Sequence, residues 1–341
     1  MRHSKSDLNT RLKERSSIMS ALATAIARSK RLFRIQYVSD LHLEFYDKLA
    51  FPLILTPAAR YLALAGDIGH PDTDLFKSFI DYTARNWDRV FFVAGNHEYY
   101  ARKPAQSWKY KAPKHMFETQ EVLKAFFAPY KNVTFLHHDN PSIYLAEENV
   151  AILGSTLWSH ISPENVPLSH AINDYKFIPF ESEGLVRPFS PADTNLLHEK
   201  ECAMLEAQID YWGNQKAQVV VITHHMPSFS LISPKYENNL YNAWFASHCD
   251  ALMKPHVRSW IYGHTHNAGV TSFKHTLCAV NARGYPHESA LGFSKEAWLE
   301  FPIKHIDEVS ECGCDELAAA AAGIRSPYLK MINAVEEVEF V

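Results

Sequence analysis

Five short clusters of residues with metal-binding side chains are spaced along the chain. Each follows an apolar run that has the composition of a buried strand. In chain order, the clusters are Asp40-Leu41-His42, Gly66-Asp67, Gly95-Asn96-His97-Glu98, Thr223-His224-His225 and Gly263-His264-Thr265-His266. Carboxylate, amide and imidazole groups bind transition metals, and the clusters contain enough of them to hold two ions. The pattern therefore predicts metal-assisted chemistry.

A pair of metal ions narrows the reaction that is expected. The two ions need a bridging ligand, and a carboxylate suits this position because it has two oxygens and a negative charge. Ions held about 3.5–4 Å apart lower the pKa of bound water and neutralise charge on phosphoryl oxygens. We therefore expect hydrolysis of a phosphoester, with a metal-bound hydroxide attacking phosphorus in line.

The apolar runs before the clusters predict the elements that position these ligands. They span residues 35–39, 61–65, 90–94, 219–222 and 260–262. Helical spacing over 74–87 and 195–212 adds helices between strands, and this alternation predicts an α/β fold with a parallel sheet. Ligands bind at the carboxyl ends of the strands in such sheets. Glycines at 66, 95 and 263 precede ligand residues and allow tight turns and close backbone approach.

Each cluster alone has a purely structural interpretation. A histidine at a strand end is commonly a structural residue, and Asp40 or Asp67 could cap a helix. Gly95-Asn96 could form a turn. A joint structural origin for all five clusters is disfavoured, because each motif alone can arise by chance but five together rarely do.

The ordered set of clusters resembles the calcineurin-like metallophosphoesterase superfamily. The matching motifs are Asp40-x-His42, Gly66-Asp67, Gly95-Asn96-His97-Glu98, His224 and Gly263-His264-Thr265-His266. The resemblance covers about residues 34–290. It implies an α/β fold, a four-layer α/β/β/α sandwich with a dinuclear metal site at the C-terminal ends of the strands.

The resemblance also implies roles for the individual residues. It gives two ligand sets that share one bridging carboxylate: Asp40, His42 and His266 for the first ion, Asn96, His224 and His264 for the second, and Asp67 between them. The catalytic residues would be Asp67 and His97, which contacts the phosphate as general acid or transition-state stabiliser. Two divalent or mixed-valence ions of Mn, Fe or Zn suit these ligands, and the ligand types do not choose among them.

Further polar residues are candidates for substrate contacts or for support of the ligands. They are His225, Asn173, Asp174 and Arg283. A surface position for His225 is an equal alternative, and Arg283 could pair either with a phosphate or with a surface carboxylate. Glu98 could bind a ligand residue or cap the next turn.

Local sequence and charge narrow the substrate class. Asp67 is followed by Ile68-Gly69-His70-Pro71, whereas the protein Ser/Thr phosphatase branch has an Asp-Arg pair there. The chain beyond residue 34 carries a net charge of −11, which argues against nucleic acid as partner. A small phosphodiester or phosphomonoester is the favoured substrate, with nucleotides among the candidates. The alternative is a catalytically silent, metal-stabilised scaffold or binding protein.

Charge also divides the chain. Residues 1–34 contain nine Lys or Arg and two Asp or Glu, and residues 295–341 contain four against ten. We expect a flexible basic extension over 1–33, the metallophosphoesterase domain over 34–294 and an acidic extension over 295–341. Organellar targeting is an alternative role for the basic segment.

Cysteines and hydropathy bear on the compartment. The five cysteines have no regular spacing, so a disulfide framework is not predicted and a cytoplasmic location is favoured. Cys312-Gly313-Cys314 is weak evidence for a redox or metal pair. No window reaches 18 consecutive apolar residues, so no membrane span is predicted.

Overall fold

The structure is a computed structural model that describes residues 32–101, 115–289 and 291–304. The strands in these ranges are Leu32–Val38 (β1), Tyr61–Ala65 (β2), Arg89–Val93 (β3), Val133–Phe135 (β4), Ser142–Leu145 (β5), Val150–Ser155 (β6), Pro179–Ser182 (β7), Leu185–Pro188 (β8), Gln218–Thr223 (β9), Val257–Tyr262 (β10), Ala268–Phe273 (β11), Thr276–Asn281 (β12) and Trp298–Pro302 (β13). The helices are Asp74–Asn86 (α1), Met116–Phe127 (α2), Asp174–Phe177 (α3) and Pro191–Asn214 (α4).

The strands form two large sheets and one hairpin. The first sheet has the order β13-β1-β2-β3-β4, in which only β13 is antiparallel to its neighbour. The second has the order β11-β12-β10-β9-β6-β5, with antiparallel strands at both edges and parallel pairing between them. Strands β7 and β8 pair separately. The parallel centres direct several strand ends to the same edge.

Side-chain alternation in the first sheet separates two layers of the core. In β3, Phe91 and Val93 lie in the layer between the sheets. The alternate residues Val90 and Phe92 pack in the outer layer with side chains of α1 and α2. Successive residues of a strand point to opposite faces, so a strand covered on both sides is apolar throughout.

The second sheet repeats this arrangement with a different helix. Val220 of β9 lies in the layer between the sheets, whereas Val221 packs outside with Leu205 and Ile209 of α4. The layers therefore run helix, sheet, sheet, helix, and this confirms the predicted α/β/β/α sandwich.

The first sheet extends beyond the predicted end of the domain. Strand β13 pairs with β1 in the register Ile35↔Leu299, and Phe301 is buried. The predicted boundary after residue 294 therefore cuts off a strand of the sheet. The acidic composition of this region concealed a short run in which Leu299 and Phe301 alternate with outward-facing residues. Residues 1–31 and 305–341, with the Cys312–Cys314 motif, lie outside the described part.

The proline-rich stretch over 159–193 is more regular than we expected. It contains α3 and the hairpin of β7 and β8. Pro179 opens β7 and Pro188 closes β8, and a two-stranded ribbon tolerates proline there because few of its donors are needed. Pro191 occupies the first turn of α4, where its missing N–H costs nothing.

The two sheets are tied together at one edge. Ser39, just after β1, donates its N–H to Asn281 of β12 at 3.2 Å and accepts the N–H of Arg283 at 3.1 Å. These bonds bring the carboxyl ends of strands from both sheets together. In the described ranges, no helix is both long enough and apolar enough to cross a membrane.

Candidate metal centre

The turns after the strands hold most of the predicted ligands in an unusual backbone conformation. Five of these residues have φ between 47° and 66°: Asp40, His42, Asp67, His264 and His266. This left-handed region costs a residue with a side chain about 1–3 kcal/mol and persists only where its surroundings enforce it. The sharp turns aim the five side chains into one space between the strand ends.

The first ligand set brings two imidazole nitrogens face to face. Nε2 of His42 lies 3.0 Å from Nε2 of His266, and Oδ1 of Asp40 lies 3.5 Å from the latter nitrogen. The other ring nitrogens already have carboxylate partners, Glu44 for His42 at 3.2 Å and Glu288 for His266 at 2.6 Å. With the ring protons directed at these carboxylates, both Nε2 atoms present lone pairs to each other, which is unfavourable without a cation between them.

The second set repeats this arrangement around His224. Its Nδ1 donates to the carbonyl of Ala65 at 2.9 Å. Its Nε2 lies 2.9 Å from Oδ1 of Asn96 and 3.2 Å from Nδ1 of His264. The amide nitrogen of Asn96 donates to Asp174 at 2.8 Å, so the amide oxygen must be the atom that faces His224. Three atoms that can bind a metal ion, one from each residue, again converge on one point.

Asp67 lies between the two sets. Its Oδ1 is 3.5 Å from Nε2 of His224, and its Oδ2 is 3.9 Å from Nε2 of His42. The side chain is buried, and Oδ1 also accepts the backbone N–H of His97 at 2.8 Å. Each oxygen therefore faces a different ligand set, as a bridging carboxylate requires.

The spacing and electrostatics of these atoms fit metal ions. Ligand atoms about 2.1 Å from one ion and at right angles to each other are about 3.0 Å apart, close to the separations of 2.9–3.2 Å between the facing nitrogens and oxygen. Burial alone would lower the pKa of His224, but the charge of Asp67 raises it to about 10. A positive charge is thus favoured at this point, and these residues can hold cations.

Glu98 holds the turns after β2 and β3 together. Its buried carboxylate accepts the backbone N–H groups of Gly95 at 2.6 Å, Asp67 at 3.0 Å, Ile68 at 2.8 Å and Gly69 at 3.2 Å. Both oxygens are therefore fully used as acceptors. Glu98 orients the backbone that carries Asp67, and this is a larger role than either alternative predicted for it.

His97 borders the two ligand sets and has partners at both ring nitrogens. Nδ1 is 2.9 Å from Glu44, and Nε2 is 3.0 Å from the Tyr285 hydroxyl. Its ring stacks on Tyr100 with 4.3 Å between centroids. Burial lowers the pKa of His97, but Asp67 and then Glu44 outweigh it and raise the pKa to about 9. The ring of His97 is therefore protonated at both nitrogens at neutral pH.

The remaining predicted residues have different positions. His225 is buried, with its ring 4.3 Å from that of His264, so the surface alternative is wrong. Asp174 is buried and accepts bonds from Asn96 and Tyr100. Asn173 lines the cavity at the site.

Among the described residues, the Arg283 side chain pairs with a tyrosine and not with the surface carboxylate of one alternative. Its guanidinium donates to the Tyr46 hydroxyl and stacks on that ring at 4.9 Å. It lines neither of the cavities next to His97. The backbone explains this position, because the N–H groups of Arg283 and Gly284 bond to Ser39 and Asp40.

Four functional positions were not identified from the sequence. They are Glu44 and Glu288, which orient the imidazoles, and Tyr100 and Tyr285, which contact His97. Glu44 follows His42 by two residues, and that spacing was the only local indication. Tyr285 is 188 residues from His97 in the chain, so no local pattern joins them.

Comparisons with known proteins agree with this geometry. A family model described as calcineurin-like phosphoesterase matches residues 33–268. The uncharacterized protein L509 of Acanthamoeba polyphaga mimivirus is 30% identical over 297 residues, which cover 81% of this chain and 99% of the viral protein. The structure of phosphopantetheinyl hydrolase from Mycobacterium tuberculosis aligns with a TM-score of 0.56 and 19% identity, over 74% of this chain and 89% of that chain. This last likeness shows a shared fold.

Proposed function

The chain belongs to the calcineurin-like phosphoesterase family and is a phosphoric ester hydrolase, and on this premise we propose that it cleaves phosphodiester or phosphomonoester bonds of a small substrate with two transition-metal ions. The observation that carries the proposal is the pair of facing Nε2 atoms of His42 and His266, 3.0 Å apart and beside the buried carboxylate of Asp67, which are placed as two ligands of one ion would be. A metal ion bound by both nitrogens would satisfy their lone pairs and offset the charge of the carboxylate.

The ligand roles follow from the two sets. Asp40, His42 and His266 would hold one ion, Asn96, His224 and His264 the other, and Asp67 both. Ions of Mn, Fe or Zn suit these ligands. When bound, the pair supplies an activated water and offsets the charge on the phosphoryl oxygens. The carboxylates of Glu44 and Glu288 keep the ligand imidazoles in the tautomer that offers Nε2.

His97 supplies the proton in this proposal. Glu44 fixes its Nδ1–H, so the proton that can be transferred sits on Nε2, beside the Tyr285 hydroxyl. Asp67 keeps that proton on the ring in the free protein, since its charge raises the pKa of His97 to about 9. The leaving oxygen of the ester would take this proton as the bond to phosphorus breaks.

The test uses His97→Gln with added Mn²⁺ and diphenyl phosphate as substrate, because the basic phenoxide leaves readily only when it receives a proton. Turnover should fall by about 10²–10⁴-fold, because a positioned acid contributes that much. Elemental analysis should still find about two ions per chain. His138→Gln, at an exposed histidine far from the ligands in the chain, is the matched control and should keep normal turnover.

Two results would contradict the proposal. Absence of turnover in the unmodified, metal-loaded protein with both diester and monoester would indicate a silent scaffold. Full turnover of His97→Gln would show that His97 does not supply the proton, although the protein would still be a phosphoesterase. Asp67→Asn provides a second check, since it should lose metal as well as turnover.

A further inference from the structure

Two cavities meet at His97, and only one of them contains metal ligands. The first, about 620 Å³, includes Asp67, Asn96, His264 and His266 in its lining. We call it the aromatic lobe, because Tyr236, Tyr241, Trp244 and Phe245 form one of its walls. The second, about 700 Å³, is the histidine lobe and is lined by His70, His97 and His287 with Phe45 and Phe177.

The aromatic wall comes from the segment between β9 and β10. Phe245 lies against the metal-ligand ring of His264, with 4.7 Å between centroids. Trp244 is buried and donates its indole N–H to the Tyr175 hydroxyl at 3.2 Å, which fixes its ring. Tyr236 and Tyr241 stand at the mouth with 39% and 38% of their surface exposed. Half-exposed aromatic rings beside a reaction centre are suited to stacking on a planar group.

The charges around the lobes restrict what can bind there. Among the described residues that line either lobe, none is Lys or Arg. The aromatic lobe instead includes the carboxylates of Asp174 and Glu288, and amides such as Asn239 and Asn242. A second phosphate on the substrate would meet these carboxylates and no Lys or Arg among the described lining residues, whereas an uncharged ring with hydrogen-bonding edges would be accommodated.

His97 lines both lobes, whereas only the aromatic lobe includes metal ligands. A general acid must lie against the leaving oxygen, and the histidine lobe contains His97 but none of the seven ligands. The leaving half of an ester would therefore extend into the histidine lobe. The half that stays on phosphorus would remain over the ligands, in the aromatic lobe.

We infer, on the basis of the proposed function, that the natural substrate is a singly charged phosphodiester whose retained half is an uncharged planar ring group held in the aromatic lobe. A phosphomonoester would leave that lobe empty. A substrate with additional phosphates on the retained half would be disfavoured.

The inference is tested with esters that share one leaving group. The series is p-nitrophenyl phosphate, methyl p-nitrophenyl phosphate, phenyl p-nitrophenyl phosphate and thymidine 5′-(p-nitrophenyl phosphate), each assayed with the Mn²⁺-loaded protein. Values of kcat/KM for the phenyl and thymidine diesters should exceed that for the methyl diester by roughly 10- to 100-fold, as expected for one stacked ring. The two diesters with rings should also exceed the monoester.

A variant tests whether the aromatic wall of the lobe causes the preference for the phenyl diester. Tyr241→Ala should lower kcat/KM for the phenyl diester by roughly 3- to 10-fold and leave the methyl diester nearly unchanged. Tyr211→Ala, at an exposed tyrosine of α4 that lines neither lobe, is the matched control and should change neither value. The ratio of the two diesters within one protein corrects for any loss of folded material.

The outcomes separate this inference from the proposed function. Equal kcat/KM for methyl and phenyl diesters, or an equal effect of Tyr241→Ala on both, would overturn the inference while the protein remained a phosphoesterase. A clear preference for the monoester would also overturn it. Failure of all four esters would instead contradict the proposed function.

Discussion

At the scale of single residues, three glutamates determine how the metal ligands are presented. Glu44 and Glu288 accept from ring nitrogens and so direct the opposite nitrogens inward. Glu98 acts on the backbone, accepting four N–H groups from the turns after β2 and β3. Each of these carboxylates accepts from donors that would otherwise be unpaired.

We expect Glu98→Gln to weaken both the fold and metal binding. The new amide NH₂ group would face backbone donors, and each buried donor left unpaired costs about 1–3 kcal/mol. Urea unfolding and metal titration by calorimetry would measure the two effects. Glu148→Gln alters another buried glutamate, which accepts from Tyr61, and should leave metal affinity unchanged. Equal metal affinities for all three proteins would contradict this role of Glu98.

The affinity for metal should rise with pH. In the absence of metal, Asp67 overcomes the effect of burial and raises the pKa of His224 to about 10, so the ring is a positively charged imidazolium at pH 7. An ion must displace that proton, and apparent affinity should increase by up to tenfold per pH unit for each proton released, between about pH 6 and pH 9. Competition with a chelator whose own pH dependence is known would measure this. An affinity that stays constant over this range would refute the prediction.

At the scale of elements, the strand ends place the ligands where little space remains. The turns after β2 and β3 lie so close that a Cβ on Gly95 would be 2.2 Å from Oδ1 of Asp67 and 2.6 Å from its backbone nitrogen. Gly66 has φ of 82° and a similar lack of space next to His224. Glycine at these turns allows two backbone segments to approach so closely that their side chains can bind the same pair of metal ions.

Gly95→Ala is therefore expected to displace Asp67 and to abolish metal binding at the bridged position. The clash is with backbone and with a buried carboxylate, so no flexible side chain can relieve it. Metal content and aryl phosphodiester turnover are the measurements. Gly269→Ala in β11 introduces the same methyl group into open space and should behave like the unmodified protein. Normal metal content in Gly95→Ala would show that the turns can move apart.

The second prediction at the scale of elements concerns the contribution of strand β13 to the stability of the fold. Phe301 is buried and stacks on Phe33 of β1 with 5.1 Å between ring centroids. Phe301→Ala should lower the free energy of unfolding by about 3–5 kcal/mol, the usual cost of removing a buried phenyl ring. Leu291→Ala, at a side chain that is 83% exposed, is the control and should cost little. A loss of less than about 1 kcal/mol in Phe301→Ala would show that this strand adds little to the sheet.

At the scale of the whole molecule, the metal centre joins the two halves of the sandwich. Asp40, His42, Asp67 and Asn96 follow strands of the first sheet, and the ligand histidines 224, 264 and 266 follow strands of the second. Any ion bound by both groups is bound only by the folded chain. A metal pair held in this way would stabilise the packing of one sheet against the other.

Removal of metal should lower the midpoint of thermal unfolding. An ion present at 100 times its Kd stabilises the folded state by about 2.7 kcal/mol. Scanning calorimetry of the metal-loaded protein with and without chelator would measure the loss, and restored Mn²⁺ should reverse it. Identical midpoints would mean that ligands are not shared between the sheets in the way that the distances indicate.

The sequence by itself determined the ligand clusters and the architecture that carries them. The strand before Asp67 is buried and apolar throughout, and the strands before Asp40 and Asn96 depart from an apolar run only at Arg34, Gln36 and Arg89. Ligand residues placed directly after such runs were sufficient to predict an α/β fold with the site at the strand ends, and their fixed order carried the resemblance that implied the sandwich. These are local patterns, and they can be read without knowing which segments are neighbours.

Only the tertiary structure decided which groups surround those ligands. The contacts of His97 with Tyr285 and of His266 with Glu288 depend on the loop after β12, and their spacing in the chain follows no period. The pairing of β13 with β1 joins the two ends of the domain sequence. Arg283 reaches Tyr46 because backbone hydrogen bonds tie its loop to the other sheet. Such contacts form when strands pair and the two sheets pack against each other. Packing brings together segments that are distant in the sequence, according to their shape and burial. No local sequence pattern indicates which of these segments will meet.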